Sequence, residues 1–441
     1  MRRLLPLLTA ASLAAQSQEP PPRPFDPNAG IANDGSIERP PQAAEQVHPE
    51  RWRHVPPGRI APGNVLERFL VSSFLSPILF REEDIGFGGG VALTDIDFRG
   101  EPYREFANAL LTYSEEGQQA YRINWSRWLH YQTLPDGGVL REERGRLFGR
   151  LGYEKTLTRR FFGYGSRTSE DGETSYTEEL TAVGLGWRDA LGAPGGDWLL
   201  RSDLQLEHHG LSYGRVRGVP STGDVAAFAD DVAFGDGRTQ VWWNSSFAHD
   251  TRDSLHQPYS GHRIGVLANL AVMDEGDTGG TVGLEAQQVI PTPPLLHRGG
   301  RPSEENPPTD CLAFGAFVVD TLGELPFYSQ PSLGGAHTLR SYVENRFTGE
   351  SACHGSVEYR FGVIPRGHRF TDTIRIERIG LAVFADLGTV ADGLGELGDA
   401  RWHHSYGTGL RIAFSREASF RVDWAFGEEG PNFTIAFGNS F

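Results

Sequence analysis

Segments in which apolar and polar residues alternate recur along the chain from about residue 69 to its end. In 357–363 the odd-numbered residues are apolar, and Glu358 and Arg360 lie between them. The same alternation occurs in 121–126, 381–387 and 420–426. A period of two residues predicts β-strands with one apolar face and one polar face. Charged residues therefore occupy one face of these strands even at mid-strand.

Sixteen strands of roughly ten residues are predicted, separated by turn residues. Their predicted bounds are 69–80, 84–98, 104–113, 119–132, 145–155, 178–189, 197–210, 238–249, 262–273, 280–290, 311–322, 354–363, 378–389, 405–414, 418–427 and 431–441. Strands of this length can cross a bilayer, and an even number suits a closed barrel whose termini share one side. The predicted fold class is all-β, a transmembrane antiparallel β-barrel. Alternation alone does not separate this barrel from a soluble sandwich, so the prediction also depends on strand length and on the N-terminus.

The N-terminus has the features of an export signal. Two arginines follow Met1, and a short apolar run then ends in small residues. This pattern predicts a secretory signal peptide over 1–15. Residues 16–62 are rich in proline and polar residues, which predicts a flexible periplasmic linker. The predicted barrel occupies 63–441, and its expected location is the outer membrane of a Gram-negative bacterium.

The composition agrees with a barrel and restricts the partners. The chain has 55 glycines and 11% aromatic residues, which is typical of all-β proteins. The formal net charge of −16 argues against nucleic acid as a partner, because an acidic chain repels phosphates. No apolar stretch of about 20 residues follows the signal peptide, which excludes a bundle of membrane-spanning helices. The expected surroundings are outer-membrane lipid and lipopolysaccharide.

No sequence pattern points to an enzyme. The chain lacks G-x-S-x-G, H-E-x-x-H and P-loop motifs. Its two cysteines, Cys311 and Cys353, form neither a disulfide framework nor a zinc cluster. The histidine pairs 208–209 and 403–404 lack the spacing of a metal site. We therefore predict no catalytic residues, no cofactor and no metal site.

Five motifs follow one another in a specific order. Residues 332–342 read SLGGAHTLRSY, and EYR at 358–360 and FADLG at 384–388 follow. Upstream lie FGYG at 162–165 and DTRD at 250–253. Their order, together with sixteen predicted strands, resembles the BamA/TamA family of outer-membrane proteins, also called the bacterial surface antigen family. The resemblance covers the whole region of predicted strands.

In that family a loop between the eleventh and twelfth strands folds back into the lumen. The matching loop here is 323–353. Its motif residues are Gly334, Gly335, Leu339, Arg340, Ser341 and Tyr342. The family arginine matches Arg340, and the acids that it faces match Glu358 and Asp386. Strand alternation independently places both acids on the lumenal face. Because a buried guanidinium needs paired carboxylates, we predict that Arg340 binds Asp386, Glu358 or both.

Ser341 departs from the family pattern, in which glycine usually follows the arginine. Glycine at that position would allow a positive φ or a close approach of the backbone. Serine fits there if its φ is negative.

Pro77 lies in the first predicted strand, where proline removes a hydrogen-bond donor. The family resemblance implies that it weakens the seam between the first and last strands and gives a lateral gate. The alternative is that Pro77 lies at a bulge or at a strand end.

The last predicted strand ends at Phe441, and Phe433, Ile435 and Phe437 are expected on the same face. We predict that this terminus is the assembly signal for the barrel assembly machinery.

The resemblance implies a function in protein assembly or translocation. Members of the family usually carry periplasmic POTRA domains, but too few residues precede the first predicted strand for one, so a POTRA-less member is predicted. Its expected role is to insert a polypeptide or lipid substrate, or to pass it through a gated lumen. One alternative is a passive porin-like channel. Another is a structural surface protein whose loops bind partners.

Overall fold

The structure of the protein is a computed structural model. It describes residues 26, 28–60, 74–82, 84–94, 103–228, 237–274, 276–369, 375–416 and 418–441. The predicted signal peptide, 1–15, lies outside these residues. Among the residues just given, nearly all of the regular structure is β, and the one α-helix is a single turn, Pro41–Ala44. Within the described residues no helix has the length and apolar character needed to cross a membrane.

Sixteen strands form one antiparallel sheet in which each strand pairs with its neighbours in the sequence. They are β1 (Phe74–Glu82), β2 (Gly86–Thr94), β3 (Glu105–Ser114), β4 (Gln119–Trp128), β5 (Arg146–Phe161), β6 (Thr174–Ala190), β7 (Trp198–Tyr213), β8 (Arg238–Asp250), β9 (Gly261–Met273), β10 (Thr278–Thr292), β11 (Asp310–Gly323), β12 (Ser351–Ile364), β13 (Arg378–Ala391), β14 (His403–Ser415), β15 (Ala418–Gly427) and β16 (Gly430–Phe437). The sixteen predicted strands are confirmed. Strands β5 to β14 are longer than predicted, whereas β16 ends at Phe437 rather than at residue 441.

The two faces of the sheet differ in polarity. Large apolar side chains are exposed on the outward face, among them Leu111, Ile123, Leu151, Leu185, Leu204, Trp243, Ile264, Leu284, Val383, Trp424 and Ile435. The opposite face carries Glu358, Asp386 and Asp423, and all three are buried. A membrane barrel has this arrangement, with apolar side chains toward lipid and polar side chains in the lumen. The sheet is therefore a transmembrane β-barrel.

One end of the lumen is covered by a small folded layer. We call it the cap and define it as 28–60 with the connections 129–145, 251–260 and 293–309. Within the cap, Trp52–Val55 pairs with Val139–Glu142, which in turn pairs with Tyr131–Thr133. Ala43, Trp52, Leu134 and Leu140 form its apolar core. Much of the segment expected to be a flexible linker is thus folded against the barrel.

Buried arginines attach the cap to backbone carbonyl groups. Arg51 is 1% exposed, and it binds Asp197 at 2.8 Å and donates to the carbonyl of Asp250 of β8 at 3.4 Å. Arg144 donates to the same carbonyl at 2.7 Å and, within the cap, to the carbonyl of Arg252 at 2.6 Å. Hydrogen bonds from a charged group to buried acceptors are among the stronger ones in proteins. These contacts hold the cap in the lumen.

The DTRD motif shapes the β8–β9 connection within the cap. One carboxylate oxygen of Asp253 accepts the backbone N–H groups of Tyr259 and Ser260 at 3.1 and 2.9 Å. Gly261 has a φ of 100°, and a Cβ there would lie 2.5 Å from the carbonyl oxygen of Thr251. The DTRD motif therefore belongs to a turn that needs both the Asp253 carboxylate as an acceptor and a glycine at 261.

Candidate functional site

The connection between β11 and β12, residues 324–350, enters the lumen, and we call it the lumenal loop. Two short strands close it: Ser332–Leu333 pairs with Phe347–Thr348. At its tip Gly334 and Gly335 have positive φ values of 124° and 79°. A Cβ at Gly334 would lie 2.2 Å from the carbonyl oxygen of Val343, so only glycine fits this turn.

An apolar cluster joins the lumenal loop to the barrel wall. It consists of Leu333, Leu339, Tyr342 and Phe347 from the loop with Ala352 and Val390 from β12 and β13. Leu333 and Leu339 are fully buried. The Tyr342 ring packs edge-on against Phe347, with ring centroids 5.2 Å apart. The loop is therefore packed in the lumen like part of a protein core.

Arg340 lies at the centre of the contact between loop and wall. Its Nη2 and Nε donate to the two carboxylate oxygens of Asp386 at 2.7 and 3.0 Å. Its Nη1 donates to Glu358 at 2.9 Å. The guanidinium also lies over the Phe384 ring, 3.3 Å from the centroid. Arg340 is 0% exposed, and the structure brings it together with both of the acids that the sequence singled out.

The wall around Arg340 carries further charges. We call the group the lock cluster; its members are Arg340, Arg360, Arg411, Arg421, Glu358, Asp386 and Asp423. Arg411 connects Glu358 and Asp423, at 2.9 and 2.5 Å. Arg360 binds Glu358 at 2.9 Å, and Arg421 binds Asp423. Asp423 and these three arginines were not predicted as site residues, although Arg421 and Asp423 lie on the polar face of the alternating segment 420–426.

The carboxylate of Asp386 is fully hydrogen-bonded. The hydroxyl groups of Ser356 and Ser405 each donate to it at 2.7 Å, in addition to the bidentate contact from Arg340. A buried ion pair is tolerated when its remaining lone pairs are satisfied in this way. Breaking such a pair by removing one partner typically costs about 3–5 kcal/mol.

Ser341 fits because its backbone does not need glycine. It is not among the residues with positive φ, and it is 5% exposed. The close approach is made by the wall instead: a Cβ at Gly427 of β15 would lie 2.1 Å from the Ser341 hydroxyl oxygen. Serine was expected to fit at position 341 if its φ is negative, and its φ is not positive.

The FGYG motif ties a second loop, 162–173, to the lumenal loop. The N–H of Gly165 donates to the carbonyl of Thr348 at 2.8 Å. Arg346 lies over the Phe162 ring at 4.4 Å and donates to the Thr168 hydroxyl at 2.9 Å. The two loops therefore close the end of the barrel that lies opposite the cap.

The predicted seam residue lies in the first strand of the sheet. Pro77 is exposed, and its Cα partner on β2 is Val91. The register of β1 with β2 continues through this position without a shift, so Pro77 lies neither at a bulge nor at a strand end. Its role in a lateral gate stays a prediction.

The predicted assembly signal is divided between the two faces of the barrel. Phe433, Ile435 and Phe437 are exposed on the outward face. Phe441 instead turns inward, and a Cβ at Gly315 would lie 2.5 Å from its ring. The expectation of one shared face is wrong for Phe441, because β16 ends at Phe437 and Gly438 then takes a φ of 77°.

One group of described side chains has the composition of a metal site. His130, Glu142 and Asp189 bring possible ligand atoms within 4.8 Å of one another. These atoms already have partners: His130 binds Asp189 at 2.8 Å, and Glu142 accepts the N–H groups of Arg144 and Gly145 at 2.7 Å each. Burial raises the pKa of the Glu142 carboxyl above its usual range. The three side chains therefore already form a contact between the cap and β6.

Comparisons with known proteins give one family and several solved structures. A family model described as the Omp85 superfamily domain matches residues 190–441. BamA from Haemophilus ducreyi, in a structure lacking POTRA domains 1–3, is 14% identical with a TM-score of 0.49, and the match covers 83% of this chain and 69% of that one. CdiB from Acinetobacter baumannii is 11% identical with a TM-score of 0.48, over 89% and 66% of the two chains. OprD from Pseudomonas aeruginosa is 13% identical with a TM-score of 0.32, over 86% and 96%. Comparison with curated proteins finds no match.

Proposed function

Because the chain belongs to the Omp85 superfamily, we propose that it is a bacterial outer-membrane barrel with a gated lumen. Through this lumen it inserts a polypeptide or lipid substrate or passes it across the membrane. The observation that carries the proposal is the contact of Arg340 with Asp386 and Glu358, which fixes the lumenal loop to the wall. The proposed gate is this loop, and the proposed lock is this ion pair.

The charges of the lock cluster favour reversible release of the loop. With the loop in place, four guanidiniums face three carboxylates in the cluster. Removal of Arg340 leaves three of each sign on the wall, and Asp386 keeps two hydroxyl donors. Release of the loop therefore leaves no net charge among the remaining members of the lock cluster, although it breaks a buried ion pair. A substrate that engages the loop would have to supply that free energy.

The filled lumen argues against a steady open channel. The cap covers one end, and the lumenal loop and the 162–173 loop occupy the other. A passive porin-like channel needs a continuous aqueous path, which these segments would obstruct. A wide, steady conductance would nevertheless favour the porin function.

Bilayer conductance of the refolded protein tests the proposal. Wild type is compared with Arg340→Ala, and Arg122→Ala is the matched control. Arg122 belongs to β4 and pairs with Glu154 at 3.1 Å, so its loss also removes one arginine from an ion pair of the barrel. We expect small, infrequent openings for wild type and the control, and frequent or larger openings for Arg340→Ala.

Two results would contradict the proposed lock. If wild type and Arg340→Ala both conduct through a wide, steady pore, the ion pair is not a lock and the porin function is favoured. If none of the three proteins conducts, the Arg340 pair does not control the path.

A further inference from the structure

The lumenal loop is also held by the last strand and by the residues that follow it. We call this stretch the terminal segment and define it as 430–441, which is β16 with four residues after Phe437. Asn432 lies on the lumenal face of β16, because the odd-numbered residues of this strand are the exposed ones. Its Nδ2 donates to the carbonyl groups of Arg340 and Tyr342 at 3.0 and 3.2 Å. One side chain of β16 thus bonds to the loop backbone on both sides of residue 341.

Beyond β16 the terminal segment turns into the lumen and reaches the lock cluster. Gly438 has a φ of 77°, and its N–H donates to the carbonyl of Ser419 on β15 at 2.9 Å. The Ser440 hydroxyl then donates to Oε2 of Glu358 at 3.3 Å. The same oxygen accepts Nη1 of Arg340 at 2.9 Å. The terminal segment and the lumenal loop therefore share an acceptor in the lock cluster.

Two further contacts join the terminal segment to the loop tip and to the cap. The ring of His337, in the turn at the loop tip, is hydrogen-bonded to the backbone of Ser440. Asn439 donates to the carbonyl of His256 in the cap at 3.0 Å. A stretch of consecutive residues at the end of the chain thus contacts the lumenal loop, the barrel wall and the cap.

Phe441 anchors the terminal segment to the wall. Its ring packs against a buried apolar cluster of β10 and β11, formed by Val289, Cys311 and Ala313. The guanidinium of Arg360, a member of the lock cluster, lies 5.2 Å from the ring centroid. A Cβ at Gly315 would lie 2.5 Å from the ring, so the glycine leaves the room that the ring occupies. This close fit indicates that the end of the chain has a defined place in the lumen.

We propose that the terminal segment is a clamp that holds the lumenal loop closed together with the Arg340 ion pair. This inference rests on the proposed gate, because a clamp has a role only if the loop moves. Asn432 holds the loop backbone beside Arg340, and Ser440 holds the acid that Arg340 binds. A movement of β16 would break both contacts at once. The clamp therefore couples release of the loop to the position of the last strand.

The reactivity of a thiol on the lumenal loop tests the clamp without a measurement of conductance. Ser341→Cys is introduced in the refolded full chain whose two native cysteines are replaced by alanine, and the rate of its reaction with a maleimide is recorded. Residue 341 is 5% exposed, so the reagent reaches it when the loop is released. We expect Asn432→Ala and Ser440→Ala together to raise the rate about tenfold, because three hydrogen bonds to the loop and its lock are lost. Each single substitution should give part of this rise.

Thr434→Ala is the matched control. Thr434 lies on the same face of β16 as Asn432, and its hydroxyl group has no hydrogen-bond partner among the described residues. Ser440→Thr keeps the hydroxyl donor and should leave the rate unchanged. Folding of each variant is verified by the electrophoretic mobility of unheated and boiled samples. An unchanged rate in the Asn432→Ala and Ser440→Ala variants would overturn the clamp, and so would an equal rise in Thr434→Ala.

Conductance of the same variants separates the clamp from the proposed gate. A faster reaction together with more frequent openings supports both. A faster reaction with unchanged openings supports the clamp and contradicts the gate, because the loop then moves without opening a path. A faster reaction in Arg340→Ala alone supports the lock and overturns the clamp.

Discussion

At the scale of single residues, the room available to the residue after Arg340 depends on the barrel wall as well as on the lumenal loop. Ser341 packs directly on Gly427 of β15, where any Cβ would lie 2.1 Å from its hydroxyl oxygen. The two residues are therefore coupled: a larger side chain at 427 requires a smaller one at 341.

Gly427→Ala is expected to destabilise the closed loop by about 1–3 kcal/mol, because it overpacks a buried contact. Ser341→Gly in the same chain should restore most of that loss. The thermal midpoint of the change in electrophoretic mobility measures both. Gly393→Ala is the control, since nothing lies within 4 Å of a Cβ there. Independent, additive effects of the two substitutions would contradict the coupling.

The sequence could identify Arg340, Glu358 and Asp386, because a motif and a strand period both pointed to them. It could not identify Arg411 and Asp423 as their partners. Side-chain period places a residue on the lumenal face, but the curvature of the barrel decides which lumenal residues meet. The same holds for Phe441, whose position depends on a single turn at Gly438 after the last strand.

At the scale of elements, the strands can be predicted from the sequence and the fold of the cap cannot. Each strand carries a period of two, which is a local signal. The cap has no period, and its main contacts run from arginine side chains to carbonyl groups far away in the chain. Carbonyl acceptors are present at every residue, so nothing in their sequence marks them. Proline-rich composition therefore indicated a linker where the structure has a folded layer.

Arg51→Ala is expected to loosen the cap, because it removes an ion pair and hydrogen bonds from a buried guanidinium. Limited proteolysis should then cut within 28–60 several times faster than in wild type. Arg215→Ala is the control, because Arg215 is exposed and 3.9 Å from Glu116. Unchanged cleavage in Arg51→Ala would mean that the cap does not depend on this anchor.

Pro77→Val is expected to strengthen the edge of β1. Proline within a strand is tolerated where the donor that it lacks would face away from the paired neighbour, so we expect the missing N–H of Pro77 to face the seam. Valine restores that donor, and one added hydrogen bond stabilises by about 1 kcal/mol. The thermal midpoint should rise, whereas Pro291→Val in β10, away from the seam, should not raise it. A lower midpoint for Pro77→Val would contradict the weakened seam.

At the scale of the whole molecule, two internal segments fill one barrel. The cap is held by arginines on carbonyl groups, and the lumenal loop by an arginine on carboxylates together with an apolar cluster. When Arg340 leaves the wall together with the lumenal loop, the remaining members of the lock cluster carry equal numbers of positive and negative charges. The contacts of the cap have no such balance. We therefore expect the lumenal loop to move and the cap to stay in place.

The most direct measurement of that claim tethers the loop to the wall. Ser341→Cys and Gly427→Cys are introduced with Arg340→Ala, in a chain whose Cys311 and Cys353 are replaced by alanine. A Cβ at residue 427 would lie 2.9 Å from that of Ser341, and a small shift gives the roughly 3.8 Å of a disulfide.

Bilayer conductance is then recorded before and after reduction. We expect the oxidised protein to stay closed despite the loss of Arg340, and reduction to restore the openings of Arg340→Ala. Conductance that is the same in the oxidised and reduced protein would contradict it, because the path would then open without movement of the lumenal loop.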